Sequence, residues 1–263
     1  MAKILAITNQ KGGVGKTTTS VNLAASLAAT KRRILMIDLD PQGNATMGSG
    51  ISKNEVERSA YDLLTKKAAF EDVVIRSELG AYDVIPANGD LVAAEVELLN
   101  EIGREHRLRL ALNSVRENYD FILIDCPPSL NMLTVNALSI ADGVIIPMQC
   151  EYYSLEGLAA LMGTIEQIKE SINPDLKIAG ILRTMYDPRN SLTKDVSTEL
   201  EEYFQDLVYK VAIPRNVRLA EAPSHGMPVL QYDKASKGAI AYLALAGEIV
   251  RKSKQESKQL LSA

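Results

Sequence analysis

Residues 8–18 read Thr-Asn-Gln-Lys-Gly-Gly-Val-Gly-Lys-Thr-Thr, and the spacing of their glycines, lysines and threonines suits phosphate chemistry. Gly12, Gly13 and Gly15 permit positive φ and let the backbone approach a ligand with no side chain between. Their N–H groups, with the N-terminus of a following helix, form a nest for phosphate oxygens. Lys16 is placed to neutralise β and γ oxygens, and the Thr17 hydroxyl to ligate Mg2+. The ordinary pattern G-x-x-x-x-G-K-[ST] requires glycine at position 10, where Gln10 stands. The loop carries a second lysine instead, Lys11, at its front. One loop has one triphosphate to hold and Lys16 serves it, so Lys11 needs a separate task. Lys11, Gly12, Gly13, Val14, Gly15, Lys16, Thr17 and Thr18 are the candidate nucleotide-binding residues.

Three aspartates follow strand-like runs. In Ile34-Leu35-Met36-Ile37-Asp38-Leu39-Asp40-Pro41, alternation along an extended chain places Asp38 and Asp40 on one side, both facing the phosphates. Pro41 ends the ladder by removing a donor. Phe121–Ile124 is an apolar run ending in Asp125, the position of a carboxylate on the Mg2+ side. Phosphoryl transfer to water needs charge neutralisation and an oriented nucleophile rather than covalent chemistry. Lys16, Thr17 and Mg2+ supply the first. Asp125 and Asp38 are assigned to the ion's hydration shell, and Asp40 to positioning or polarising the attacking water. Spacing alone does not separate the roles of Asp38 and Asp40.

These residues need elements to position them. Lys3–Thr8 is a short apolar run suited to a buried strand, and Val21, Leu23, Ala24, Leu27 and Ala28 have helical spacing. Strand, glycine turn and helix is the context that makes the loop a site. Further strand-like runs are Ile34–Ile37, Tyr82–Ile85, Phe121–Ile124, Val144–Met148 and Ile178–Leu182. Helical patterns cover Leu91–Asn118, Leu133–Ala141, Leu155–Ser171, Leu192–Phe204 and about 236–258, and 43–57 reads as a surface loop. The expected fold is α/β: a doubly wound, mostly parallel sheet with helices on both faces, as one domain over 1–263. Ligands of such sheets bind beyond the carboxyl ends of the strands.

With 263 residues and 46% hydrophobic content, the chain can bury a full core. No stretch nears ~20 uninterrupted apolar residues, so no spanning helix is expected. Met1 runs straight into a strand without a signal-peptide pattern. Cys126 and Cys150 are too few for a disulfide framework or zinc site and read as buried thiols. A cytoplasmic protein is expected. The net charge of −4 leaves nucleic-acid binding only to a local basic patch.

Lys-Gly-Gly-Val-Gly-Lys-Thr-Thr, Ile-Asp-Leu-Asp-Pro-Gln-Gly-Asn and Ile-Asp-Cys-Pro-Pro-Ser resemble the deviant Walker ATPases of the ParA/MinD group over nearly the whole chain. The stretch 213–226, Ile-Pro-Arg-Asn-Val-Arg-Leu-Ala-Glu-Ala-Pro-Ser-His-Gly, resembles the Soj-like ParA branch. The resemblance implies a P-loop NTPase fold of the deviant Walker A type and ATP with Mg2+ as cofactors. It implies an ATP-driven sandwich homodimer in which Lys11 reaches the partner's nucleotide, so that Lys11 joins Lys16 and Asp40 as catalytic. It also implies that Asp40 supports hydrolysis and that the segment from Asp125 to about Asn131 senses the γ-phosphate. Pro214 and Arg215 would lie near the adenine, although a rigid turn closing the sheet explains them equally well.

Arg183, Arg189, Arg215, Arg218, Lys194, Lys234 and Lys237 follow strands and as a set could form the required patch. The resemblance assigns non-specific double-stranded DNA binding to Arg189 and Arg218, nucleoid association, and a ParB-type partner that stimulates a slow ATPase during chromosome or plasmid segregation. A MinD-like membrane-associated regulator of cell division is the alternative. The basic C-terminal tail, with only Leu260 and Leu261 as late apolar residues, argues against a membrane anchor. An iron–sulfur reductase or an amide-forming ligase on the same loop is a third class, but the two cysteines do not suit the former and no residues announce a substrate pocket for the latter.

Overall fold

The computed structural model describes residues 2–262, with side chains over residues 2–256. Seven strands are β1 (Lys3–Ile7), β2 (Ile34–Asp38), β3 (Ile75–Ser77), β4 (Tyr82–Ile85), β5 (Phe121–Asp125), β6 (Gly143–Gln149) and β7 (Lys177–Thr184). They form a single sheet in the order β3-β4-β2-β5-β1-β6-β7. Only β3, which the sequence reading missed, runs antiparallel; its three residues are too short for a periodic signal. The helices are α1 (Lys16–Ala29), α2 (Asn44–Gly48), α3 (Ala60–Leu64), α4 (Phe70–Val73), α5 (Leu91–Leu98) and α6 (Arg107–Leu112), then α7 (Met132–Ile140), α8 (Ser154–Ser171), α9 (Ser191–Phe204), α10 (Val217–Glu221), α11 (Val229–Tyr232) and α12 (Lys237–Ser262).

Each central strand is apolar on both faces, and alternation divides its side chains between two cores. Ile4, Ala6, Leu35, Ile37, Ile122 and Ile124 pack with α3 and α5 to α9. Leu5, Ile7, Ile34, Met36 and Leu123 pack on the other face with α1 and α10 to α12. This is the doubly wound, mostly parallel arrangement expected. Because β5 lies between β1 and β2, the register sets Ile7 level with Asp125 and Asp38 level with Asp125. The loop after β1 and both aspartates thus meet at one edge of the sheet.

Two expectations need correction. The run Leu91–Asn118 is broken: α5 ends near Leu98, Gly103 takes φ 67°, and α6 follows. Its apolar periodicity spans two helices joined by a left-handed glycine turn. The segment 43–57 is no plain loop, since α2 packs inward with Ala45, Thr46 and Gly48 buried. Beyond the regular elements, residues 208–213 lie along β7 without forming a further strand. Tyr209 N–H donates to the Ile181 carbonyl at 3.0 Å and Ile213 N–H to the Arg183 carbonyl at 2.8 Å, but Lys210 and Val211 N–H donate to the Glu248 carboxylate. Side-chain bonds replace the ladder there. Leu260 and Leu261 lie outside the described side chains.

Candidate nucleotide-binding site

The loop between β1 and α1 is held open by glycine. Gly13 and Gly15 take φ 73° and 87°, and Gly15 caps α1 in the left-handed conformation, directing the first helical N–H groups outward. Val14 is buried, and its carbonyl accepts from the Thr184 hydroxyl at 2.8 Å, tying the loop to the end of β7. Asn9 anchors the front of the loop: its amide donates to the Pro147 carbonyl and its Oδ1 accepts from Lys11 N–H. The Thr184–Val14 and Asn9–Pro147 ties were not foreseen, because these partners lie far apart in sequence.

The two lysines have different settings. Lys16 is buried, and its Nζ donates to the Lys11 carbonyl at 3.0 Å across the mouth of the loop. Burial pushes its ammonium below the ordinary value, while the charges of Asp125 and Asp40 oppose that shift. An anionic phosphate in the nest would add to that opposition. Lys11 instead points away from the cradle, its exposed Nζ 2.7 Å from Glu151 Oε2 in the turn after β6. The structure therefore separates the surplus lysine from the one that faces the loop.

Asp125 is fully buried at the end of β5. It accepts from Thr17 Oγ1 at 2.9 Å and Ser20 Oγ at 2.7 Å. Burial, reinforced by the neighbouring charge of Asp38, pushes its carboxyl well above the carboxylate range. Asp38 is equally buried and also shifted upward, first by burial. Its oxygens accept from Thr46 N–H and Thr46 Oγ1, both at 2.8 Å, and from Asp40 N–H at 3.1 Å. The sequence pattern placed Asp38 and Asp40 facing the phosphates together; the structure differentiates them. Asp38 anchors α2, whereas Asp40 stays half-exposed, its Oδ1 accepting from Gln42 N–H at 3.0 Å. No three His, Cys, Asp or Glu side chains converge among the described residues. Mg2+ does not need such a cage, because one or two carboxylates and substrate phosphates hold it. Thr17 and Asp125 fit that mode: a hydroxyl and a carboxylate in contact beside the phosphate nest.

A cavity of about 190 Å3 adjoins the loop, walled by Gly15, Thr18, Thr184, Met185, Pro214 and Tyr242. Arg215 also borders it, so both residues expected near the base lie beside the loop. Met185 holds φ 49°, a left-handed conformation uncommon for a side chain of this size. Tyr242, from α12, was not foreseen; its hydroxyl lies 3.1 Å from Thr19 Oγ1 in α1.

The basic set is only partly a patch. Arg183 is buried within β7, where it bonds Ser197, the Tyr209 carbonyl and Glu201; it is structural and leaves the set. Arg189 is almost fully exposed and paired with Asp187 at 2.8 Å. Arg218 pairs with Glu221 at 2.7 Å and Asp233 at 3.4 Å. Lys194, Arg215, Lys234 and Lys237 are exposed.

Residues 2–178 match the AAA domain family. The sporulation initiation inhibitor protein Soj of Bacillus subtilis is 55% identical over 249 residues, covering 95% of this chain and 98% of that protein. The chain belongs to the ParA/Soj family of ATPases. The chromosome partitioning protein ParA of Caulobacter vibrioides is 50% identical, over 99% of this chain and 98% of its own. Among solved structures, cobyrinic acid a,c-diamide synthase from Mycobacterium smegmatis, with bound ADP and magnesium, superposes with TM-score 0.85 at 37% identity. That alignment covers 97% of this chain and 96% of the synthase.

Proposed function

We propose that the protein is an ATP-driven DNA-partitioning switch. ATP with Mg2+ occupies the loop, two protomers close face to face over their nucleotides, and the dimer binds double-stranded DNA non-specifically. Hydrolysis stimulated by a ParB-type partner resets it during chromosome or plasmid segregation. The observation that carries this reading is the outward-facing Lys11. An ammonium 2.7 Å from Glu151, beside but outside the cradle, is available to a second nucleotide once that ion pair opens. Exposed pairs of this kind contribute about 0–1 kcal/mol, so opening it costs little.

Within this reading Gly12, Gly13, Gly15 and Lys16 bind and orient the phosphates. Thr17 and Asp125 hold the Mg2+ hydration shell, with Asp38 anchoring the segment beside it. The bound ion supplies neutralisation of the phosphate charge. Asp40, half-exposed at the end of the same turn, orients the attacking water. Met185, Pro214 and Arg215 border the base. Identity supports partition over amide ligation: 55% and 50% with the Soj and ParA proteins, against 37% with the diamide synthase. The chromosome-partitioning name of the ParA relative and the basic, exposed Arg189 and Arg218 support DNA as the surface on which the dimer acts.

The test is size-exclusion chromatography with and without ATP and Mg2+ for wild type, Lys11→Ala and Asp40→Ala. An ATP-dependent dimer is expected for wild type, lost with Lys11→Ala and prolonged by Asp40→Ala. A monomer under every condition would sink the sandwich mechanism.

A further inference from the structure

Helix α5 buries Leu91, Ala94 and Leu98 and turns a second apolar row outward. Val92, Val96 and Leu99, spaced i, i+4 and i+7, are 58%, 65% and 55% exposed, and Ile102 in the next turn is 99% exposed. Ala93 widens the row. An amphipathic helix needs one apolar stripe to join the core. A second stripe left in solvent marks an interaction surface. Neither the nucleotide site nor the basic residues use it.

The rim of this stripe is acidic. Asp90, Glu95, Glu97, Glu101 and Glu105 surround it, against Arg104 within the same stretch. Lys67 pairs with Glu97, and Arg107 with Glu101. Asp90 and Glu95 have no cationic partner among the described residues. Around a twofold axis a second copy would set these carboxylates against themselves, which like charges penalise. An anionic membrane would be repelled for the same reason. The complementary occupant is a basic amphipathic helical segment that lays aliphatic side chains along the row and cations on the rim.

The stripe is also wired to the nucleotide edge of the sheet. Glu95 Oε1 accepts from the Asn131 amide at 2.7 Å. Asn131 caps α7, its Oδ1 accepting from Thr134 N–H, and closes the segment that leaves Asp125. Leu130, immediately before it, is 48% exposed. A segment seated on α5 therefore touches the element that holds the far end of this loop.

We propose that the outer face of α5 is the docking surface for a basic amphipathic segment of the partner that stimulates hydrolysis. The Glu95–Asn131 bond links docking to the loop that starts at Asp125. This rests on the partition reading above and deepens it by giving the partner a place and a chemistry.

The test uses the full-length protein and a purified ParB-type protein from the same source. ATP turnover, ATP-dependent dimerisation and hydrogen exchange are measured for wild type, Val96→Asp and Glu95→Lys. Val96 is exposed, so the aspartate is expected to leave folding, basal turnover and the dimer unchanged. The partner is expected to protect residues 91–102 from exchange in wild type. Its half-maximal concentration should rise at least about tenfold in both variants, as for a central interface position. Full stimulation of Val96→Asp would overturn the assignment. Loss of the ATP dimer in Val96→Asp would overturn it in favour of a second copy, and ATP-dependent binding of wild type but not Val96→Asp to anionic vesicles in favour of a membrane. Failure of the partition reading shows in wild type, as no stimulation at all, whereas failure of the docking assignment shows only in the variants.

Discussion

Asp125 and Asp38 sit level on adjacent strands, both buried and both pushed toward the neutral form. A carboxyl whose folded pKa lies above its unfolded value favours folding less as pH rises between the two values. The nucleotide-free protein is therefore expected to lose thermal stability as pH is raised above about 4, the unfolded carboxyl value, until the folded value is passed. Asp125→Asn, which keeps the shape and removes the charge, should flatten that decline in scanning calorimetry. A cation beside Asp125 favours the ionised form, so the rise in melting temperature on adding Mg2+ and ATP should be larger at pH 8 than at pH 6. At this scale the sequence was legible where chemistry is local. The loop, its glycines and the strand-end aspartates lie within short stretches. The Thr46 bonds that commit Asp38, the Glu151 pair of Lys11 and the Thr184 tie to Val14 were not, because contacts between distant segments leave no local spacing.

The elements that carry these residues are joined by close glycine contacts. Gly50, just past α2, takes φ 82°, and a Cβ there would lie 2.8 Å from the Gly226 carbonyl. Gly50→Ala meets both a left-handed backbone and a backbone clash, and is expected to cost about 1–3 kcal/mol in urea denaturation. Because α2 carries Thr46, which holds Asp38, the same substitution should also weaken binding of Mg2+ and ATP. Continuous apolar strands and long helices were readable, since burial on two faces writes itself as an unbroken hydrophobic run. The break between α5 and α6 was not readable, because apolar spacing continues through Leu99 and Ile102 although neither is buried. Nor was the irregular path of 209–213, where Arg183 and Glu248 satisfy the backbone in place of a neighbouring strand.

For the whole molecule, a net charge of −4 means that the proposed DNA binding must rest on local basic residues. Arg189 and Arg218 each carry a carboxylate of their own, so one protomer offers a weak, partly neutralised patch. The proposed dimer would double it and make weak contacts additive. ATP-dependent retention on DNA, followed on a biosensor across salt concentrations, is expected to fall steeply. Arg189→Ala with Arg218→Ala should abolish it at physiological salt and shrink the salt slope by roughly 4 per dimer, at 0.9 per phosphate contact. Unchanged retention in the double variant would remove both arginines from the interface.

The segment from Val208 to Pro214, which runs beside β7 and helps to wall the cavity beside the loop, has a second consequence. β7 is one of the two edge strands of the sheet, and a bare outer ladder invites other chains to pair with it. Tyr209 and Ile213 N–H cover its Ile181 and Arg183 carbonyls, while the Glu248 carboxylate takes Lys210 and Val211 N–H and Arg183 takes the Tyr209 carbonyl in place of a further strand. Side-chain bonds thereby shield part of that edge from pairing with another chain.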